Sequence, residues 1–123
     1  MFKNIVLAFD GSEYSNKALQ VAKSITERYE ATLWLGYVFR NPSDLLGYTD
    51  YEKLYSSRKS AAQAVLDKAR QKFGTTTFIV NEDLCEGHEA ESILKVAENY
   101  EADLIVMGTR GLGAVKGLLV GSV

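Results

Sequence analysis

The sequence predicts an α/β domain in which a parallel β-sheet is covered by helices. Apolar runs of strand length alternate with amphipathic helical patterns from residue 5 to residue 107. Two of these runs, Ile5–Phe9 and Leu104–Met107, are apolar at every position, which is typical of strands buried on both faces of a parallel sheet. Such an alternation of strands and helices implies right-handed crossover connections.

The length and composition predict one globular domain over residues 1–123. A chain of 123 residues fits one domain, given about 150 residues per domain. Its 46% hydrophobic and 24% charged residues are ordinary for a globular protein. These values exclude a disordered tail, a collagen-like chain and a coiled-coil rod.

Charge and targeting features favour a cytoplasmic protein that binds neither nucleic acid nor membranes. The formal net charge is −2, whereas nucleic-acid binders normally present a basic face. Cys85 is the single cysteine, so no internal disulfide can form. The first residues lack the pattern of a signal peptide, and no apolar run approaches the ~20 residues that cross a bilayer.

The first half of the chain predicts a strand, a capped helix and a second strand. The first strand ends at Asp10-Gly11-Ser12, where Ser12 is a candidate helix N-cap. Glu13 follows in the first turn, where the helix dipole favours an acid. The apolar spacing then predicts a helix as far as Tyr29, and a second strand over residues 32–38.

The second half predicts a loop, two helices and two strands. Residues 40–50 contain the only proline and read as a loop, and an amphipathic helix is predicted over 51–73. Gly74 stands where a left-handed C-terminal cap is expected, before a third strand over residues 75–84. The inner face of the next helix is predicted to consist of these residues: Ala90, Ile93, Leu94 and Ala97.

A glycine-rich segment follows the fourth strand and carries the strongest functional pattern. Five of the ten glycines fall between residues 108 and 121. Glycine exposes backbone N–H groups, and a loop of this kind at the carboxyl end of a parallel strand can bind an anion. It is not a P-loop, because Lys116 precedes Gly117 instead of following it. The three-glycine dinucleotide pattern after the first strand is also missing.

The spacing of this segment resembles the universal stress protein family. Its nucleotide-binding members carry Gly-x2-Gly-x9-Gly-Ser/Thr, which Gly108, Gly111, Gly121 and Ser122 match in full. The opening run Ile-Val-Leu-Ala-Phe-Asp-Gly-Ser and the segment at 102–111 match the family as well. The resemblance implies a Rossmann-like three-layer sandwich similar to the adenine nucleotide alpha hydrolases. The implied strand order is 3-2-1-4.

The resemblance also implies a nucleotide site at the carboxyl ends of the strands. Asp10 would accept hydrogen bonds from the ribose hydroxyls, and the backbone of Val38 would contact the adenine. The other implied nucleotide-binding residues are Ala8 and Phe9 at the base, Gly108 and Gly111 near the ribose and phosphates, Gly121, Ser122 and Val123 at the triphosphate, and Met107. Arg110 or Lys116 would add charge at the phosphates, although the family pattern fixes neither of them. ATP is the implied ligand, with Mg²⁺ or Mn²⁺ bound through its triphosphate.

The end of the sequence departs from the family pattern. Family members continue after Gly-Ser with a helix and a fifth strand, which often pairs across a dimer interface. This chain stops at Val123, so the domain is expected to be short at its C-terminus and to have no fifth strand. The fourth strand would then be an exposed edge.

Three functions stay open at this point. The first is an ATP-binding regulator or interaction module of the stress response, working as a homodimer or with regulatory protein partners. The second is a slow ATPase or phosphotransfer enzyme, although no residue can be nominated to activate water, so dedicated catalysis is not expected. The third is a nucleotide-free dimeric scaffold, in which the glycines serve the loop and Asp10 serves a turn. Cys85 is interpreted as a small packed residue, and His88 as a surface or capping residue.

Overall fold

The structure is a five-stranded sheet with helices on both faces. The computed structural model describes residues 2–39, 48–108 and 119–122, with residues 48–50 and 119–122 described by their backbone. The strands are β1 (Asn4–Ala8), β2 (Thr32–Phe39), β3 (Val80–Glu86), β4 (Leu104–Met107) and β5 (Leu119–Ser122). The helices are α1 (Glu13–Tyr29), α2 (Tyr48–Phe73) and α3 (Glu89–Asn99).

The sheet confirms the predicted parallel order. Its strands lie in the order β3-β2-β1-β4-β5, and β1 pairs in parallel with β2 and with β4, while β2 pairs in parallel with β3. Strands β2 and β3 therefore follow one another outward on one side of β1, and the chain then crosses to the other side of β1, where β4 lies. The point of reversal lies between β1 and β4, and in open α/β sheets ligands bind outside the carboxyl ends of the strands at such a point.

The prediction that this chain has no fifth strand is wrong. Leu119–Ser122 form β5, which pairs antiparallel to β4 with Met107 opposite Leu119 and Leu104 opposite Ser122. An edge strand presents a row of unpaired N–H and C=O groups, and pairing with any extended segment satisfies them. The sequence alone did not indicate this strand, because its four residues stand within a glycine-rich segment that reads as a loop.

Two apolar cores separate the helices from the sheet. The larger core contains the side chains of β1 and β2 that face α1 and α2, among them Leu7, Leu33 and Leu35, each fully buried. The smaller core joins Val6 to Ile93, Val96 and Ala97 of α3 on the other face. Burying a leucine side chain stabilises a fold by about 1.5–3 kcal/mol, so the larger core is the main source of stability.

The predicted start of α1 is confirmed in detail, and β1 ends at Ala8, one residue before the predicted Phe9. The Ser12 side chain accepts a hydrogen bond from the N–H of Ser15 at 3.2 Å, and Glu13 stands in the first turn. Gly11 has a φ of +86°, which glycine adopts at no steric cost. The predicted left-handed cap at Gly74 is present too, with a φ of +65°.

The bounds of two elements and the inner face of α3 differ from the predictions. Helix α2 begins at Tyr48, and β3 occupies Val80–Glu86, later than the predicted 75–84. Ala90 and Leu94 were predicted on the inner face of α3, but both are exposed, Leu94 over 52% of its surface. The helix rests on the sheet through Ile93, Val96 and Ala97, which leaves Leu94 pointing away from it.

Polar groups tie the amino ends of the strands together. The Asp103 carboxylate, just before β4, accepts hydrogen bonds from the backbone N–H groups of Lys3 at 2.6 Å and Asn4 at 3.0 Å. These bonds lower the pKa of Asp103, because they stabilise its charged form. The two strands that flank the point of reversal are thereby held in register at the end opposite the predicted ligand site.

Candidate functional site

A pocket opens at the carboxyl edge of the sheet, at the point where the strand order reverses. Its volume is about 260 Å³. The residues that line it are Ala8, Phe9, Asp10, Gly36, Val38, Glu89, Ala90, Ile93, Met107 and Gly108. The ends of β1, β2 and β4 form one side of the pocket, and the first turns of α3 form the other.

Six of the predicted nucleotide-binding residues meet at this pocket: Ala8, Phe9, Asp10, Val38, Met107 and Gly108. Ala8 and Val38 border the core beneath α3, which is the face on which the pocket lies. Phe9 packs its side chain into the core beneath α1 and α2. It therefore reaches the pocket through its backbone.

The other predicted residues do not join them in the described part of the chain. Gly121 and Ser122 belong to β5 and stand opposite Ile105 and Leu104. These partners lie toward the amino end of β4, whereas the pocket lies at its carboxyl end. The predicted roles of Arg110, Gly111 and Val123 fall outside the described residues.

Asp10 is held by the turn that connects β1 to α1. Its Oδ1 accepts a hydrogen bond from the N–H of Ser12 at 2.9 Å, which is a typical aspartate turn. The Asp10 side chain is exposed at the rim of the pocket. A carboxylate in this position can accept further hydrogen bonds from the hydroxyl groups of a ligand.

Val38 presents a backbone edge to the pocket. The last hydrogen bond between β1 and β2 runs from the N–H of Phe9 to the C=O of Gly36, at 2.9 Å. Alternate residues of a strand direct their N–H and C=O groups to the same side, so those of Val38 point past the end of β1. One donor and one acceptor therefore lie side by side at the pocket, beyond the end of the β1–β2 ladder.

Gly108 is required by a close approach between β4 and α1. A Cβ at this position would lie 2.8 Å from the amide nitrogen of Ser15, and closer still to the carbonyl group of Tyr14. Distances under 3.0 Å are not found for real Cβ atoms. The glycine, which itself lines the pocket, thus lets the end of β4 reach the first turn of α1.

Sequence reasoning missed four lining residues: Gly36, Glu89, Ala90 and Ile93. Two signals could have indicated them. Gly36 precedes Val38 by two residues and therefore shares its face of the strand. In addition, a helix that follows a parallel strand after a short turn begins at the same carboxyl edge, which places the start of α3 beside the pocket.

Cys85 lies outside the pocket and is half-buried. Burial raises the pKa of its thiol to about 12, and the nearby Asp83 carboxylate adds to the effect. The Cys85 Sγ lies 3.5 Å from Asp83 Oδ1. Asp83 also accepts a hydrogen bond from the hydroxyl of Tyr100 at 2.9 Å, and the Tyr100 ring stacks on Trp34 at 3.7 Å between centroids.

We expect iodoacetamide at pH 8 to alkylate native Cys85 at least roughly 100-fold more slowly than the urea-unfolded chain, because the thiolate is the reactive form. The measurement is the alkylation rate by mass spectrometry in both states. Asp83→Asn should speed the native reaction modestly, since it removes one of the causes of the raised pKa. Equal rates for the native and unfolded chains would contradict this interpretation.

The fold and the pocket define the class of this protein. It is a three-layer α/β protein whose four parallel strands lie in the order 3-2-1-4, and its pocket lies at the topological switch point. No helix among the described residues is long and apolar enough to cross a membrane.

The chain belongs to the universal stress protein family. The model of that family matches residues 1–123. A universal stress protein from Thermus aquaticus is 40% identical over 99% of this chain and 88% of its own length. The crystal structure of a family member from Burkholderia pseudomallei is 31% identical, with a TM-score of 0.76 over 89% of this chain and 83% of that one. A universal stress protein crystallised in complex with cAMP is 23% identical, with a TM-score of 0.66 over 93% of this chain and 81% of that one.

Proposed function

We propose that this protein binds an adenine nucleotide, ATP in the first place, and acts as a nucleotide-dependent regulator or interaction module. The observation that carries the proposal is the pocket at the switch point, with the Val38 backbone edge on one side and the Asp10 carboxylate on the other. Nucleotide binding would shift the population of conformations of a surface to which a partner protein or a second copy of the chain binds.

The Val38 edge is complementary to adenine. Adenine presents an amino donor at position 6 and an acceptor at N1, which match a backbone C=O and N–H. Guanine and hypoxanthine present an oxygen at position 6 and a protonated N1, so both contacts would become repulsive. A site built around such hydrogen bonds rejects the wrong partner strongly, because its own polar groups are left unpaired.

The pocket suits the nucleoside part of the ligand. Its volume of about 260 Å³ lies just below the ~300–1,000 Å³ of typical ligand sites, so the base and ribose would fill it. Asp10 would accept hydrogen bonds from the ribose hydroxyls. The phosphates of the bound nucleotide would extend out of the pocket beside Gly108.

In this proposal, Mg²⁺ would be bound by the phosphates of the nucleotide. No group of three histidine, cysteine, aspartate or glutamate residues that could hold a metal occurs among the described residues. The phosphate roles of Gly121 and Ser122 would require both residues to lie beside Gly108 instead of along β4. The proposal therefore depends on the six predicted residues that do line the pocket. The cAMP-bound relative supports it to the extent that the same fold holds an adenine nucleotide.

Calorimetric titration and thermal unfolding with ATP test the proposal. At 100 times its dissociation constant, a ligand raises the free energy of unfolding by about 2.7 kcal/mol. We expect Asp10→Asn to weaken binding about tenfold while it keeps the turn, because a neutral amide oxygen accepts weaker hydrogen bonds than a carboxylate.

Asp67→Asn is the matched control, since Asp67 is exposed on α2 and does not line the pocket. It should bind ATP as the parent does. If no adenine nucleotide shifts the unfolding temperature of the parent protein, the nucleotide-free scaffold is favoured instead.

A further inference from the structure

Glu89 is a charged residue of the pocket that the proposed function leaves without a role. It is the first residue of α3, it is exposed, and it lines the pocket. An acid in the first turn of a helix is explained in general by the helix dipole. Glu91 meets that explanation equally well but does not line the pocket. The position of Glu89 against the ligand space therefore needs a second explanation.

The fold places Glu89 at the base end of the pocket. The N–H of Gly87 donates to the C=O of Phe39 at 3.0 Å, which ties the turn before α3 to the end of β2. Glu89 follows that turn and Val38 precedes Phe39, so both stand at the same end of the pocket. Asp10 and Gly108 lie at the ends of β1 and β4, toward the other end.

The chemistry of a carboxylate gives this position a specific use. A carboxylate only accepts hydrogen bonds, and the 6-amino group of adenine offers two hydrogens. The C=O of Val38 can accept one of them, which leaves the second directed away from the strand. An acceptor on the opposite wall of the pocket would complete the recognition of the amino group.

We propose that Glu89 is a specificity-determining residue that accepts a hydrogen bond from the 6-amino group and so selects 6-aminopurine over 6-oxopurine nucleotides. The inference rests on the proposed nucleotide function and adds a side-chain contact to the backbone edge of Val38. A 6-oxo group would face the Glu89 carboxylate as well as the Val38 C=O. The two contacts together therefore reject inosine and guanosine nucleotides.

Titrations with ATP and ITP test the role of Glu89, because the two ligands differ only at positions 6 and 1 of the base. We expect Glu89→Gln to lower the ratio of ATP affinity to ITP affinity about tenfold, since the glutamine amide can donate to a 6-oxo group. Glu91→Gln removes the same charge from the same helix turn and should leave the ratio unchanged. Any general effect of charge on the phosphates cancels in the ratio.

The outcomes separate this inference from the proposed function. If the parent protein binds neither nucleotide, the proposed function fails and the inference fails with it. If the parent binds ATP but Glu89→Gln and Glu89→Ala keep the parent ratio, the role of Glu89 is refuted while nucleotide binding stands. An equal fall in the ratio of ATP affinity to ITP affinity in Glu91→Gln would also overturn the role of Glu89, because the charge of the helix turn would then be the cause.

Discussion

Gly108→Ala is expected to lower the free energy of unfolding by about 3 kcal/mol, at the upper end of the range for overpacked sites. The new methyl group would lie under 3.0 Å from the backbone of Tyr14 and Ser15, where α1 begins. Backbone atoms in a capped helix turn cannot rotate away as a side chain can. The fall in unfolding temperature should be on the order of 10 °C, measured by circular dichroism without ligand.

Gly36→Ala is the matched control for this prediction. A Cβ at Gly36 would lie 3.3 Å from the Cδ1 of Ile93, which is the mobile end of a side chain. Both glycines line the pocket, so the pair separates a backbone clash from a general effect of filling it. We expect a cost below about 1 kcal/mol at Gly36, where the neighbour can adjust. Equal losses of stability at the two positions would contradict the close approach at Gly108.

The two roles of Gly108 change how the glycine motif is interpreted. The sequence predicts that Gly108, at the end of β4, is a glycine so that the backbone can approach a ligand. In the structure, the same glycine is demanded by the contact between β4 and α1, with or without a ligand. Loss of nucleotide binding in a Gly108 variant would therefore not demonstrate a phosphate contact. The packing requirement must be measured first.

The parts of the fold that could be predicted are those that local sequence determines. Strands β1 and β4 are apolar at nearly every position, and Ser12 caps α1 through a bond to a residue three positions away. Gly74 ends α2 because it adopts a positive φ. In each case, the physical cause lies within a few residues of its effect.

The parts that could not be predicted depend on contacts between distant segments. Leu94 has the spacing of an inner residue, but the position of α3 over the sheet decides that it is exposed. Strand β5 exists through its pairing with β4, and nothing within Leu119–Ser122 demands a strand. The start of α3 enters the pocket because the turn at Gly87 is bonded to the end of β2.

The residues of the candidate site also differ in whether the sequence could indicate them. Ala8, Asp10 and Val38 were indicated by the resemblance to the family, and they lie together because all parallel strands present their carboxyl ends at one edge. Glu89 carries no sequence signal that distinguishes it from Glu91, and only the fold separates the two. The proposed specificity-determining residue is thus one that sequence spacing does not single out.

Ala8→Phe is expected to weaken ATP binding by at least roughly 100-fold, or about 2.7 kcal/mol. Ala8 ends β1, its side chain is half-buried on the face beneath α3, and it lines the pocket. A phenyl ring at this position would fill much of a pocket of only about 260 Å³ and would displace the base. Because the ring enters open space, the unfolding temperature without ligand should be unchanged or slightly higher.

The same substitution at Ala61 separates occlusion of the pocket from a general effect of an added aromatic ring. Ala61 is exposed on α2 and does not line the pocket, so Ala61→Phe should keep the full ATP-induced rise in unfolding temperature. Ala8→Phe should lose that rise while its far-ultraviolet circular dichroism stays that of the parent. If Ala8→Phe bound ATP as tightly as Ala61→Phe, the base could not lie in this pocket, and the site would have to be sought elsewhere. Since the variant needs no assumption about the phosphates, it tests the pocket independently of the glycine motif.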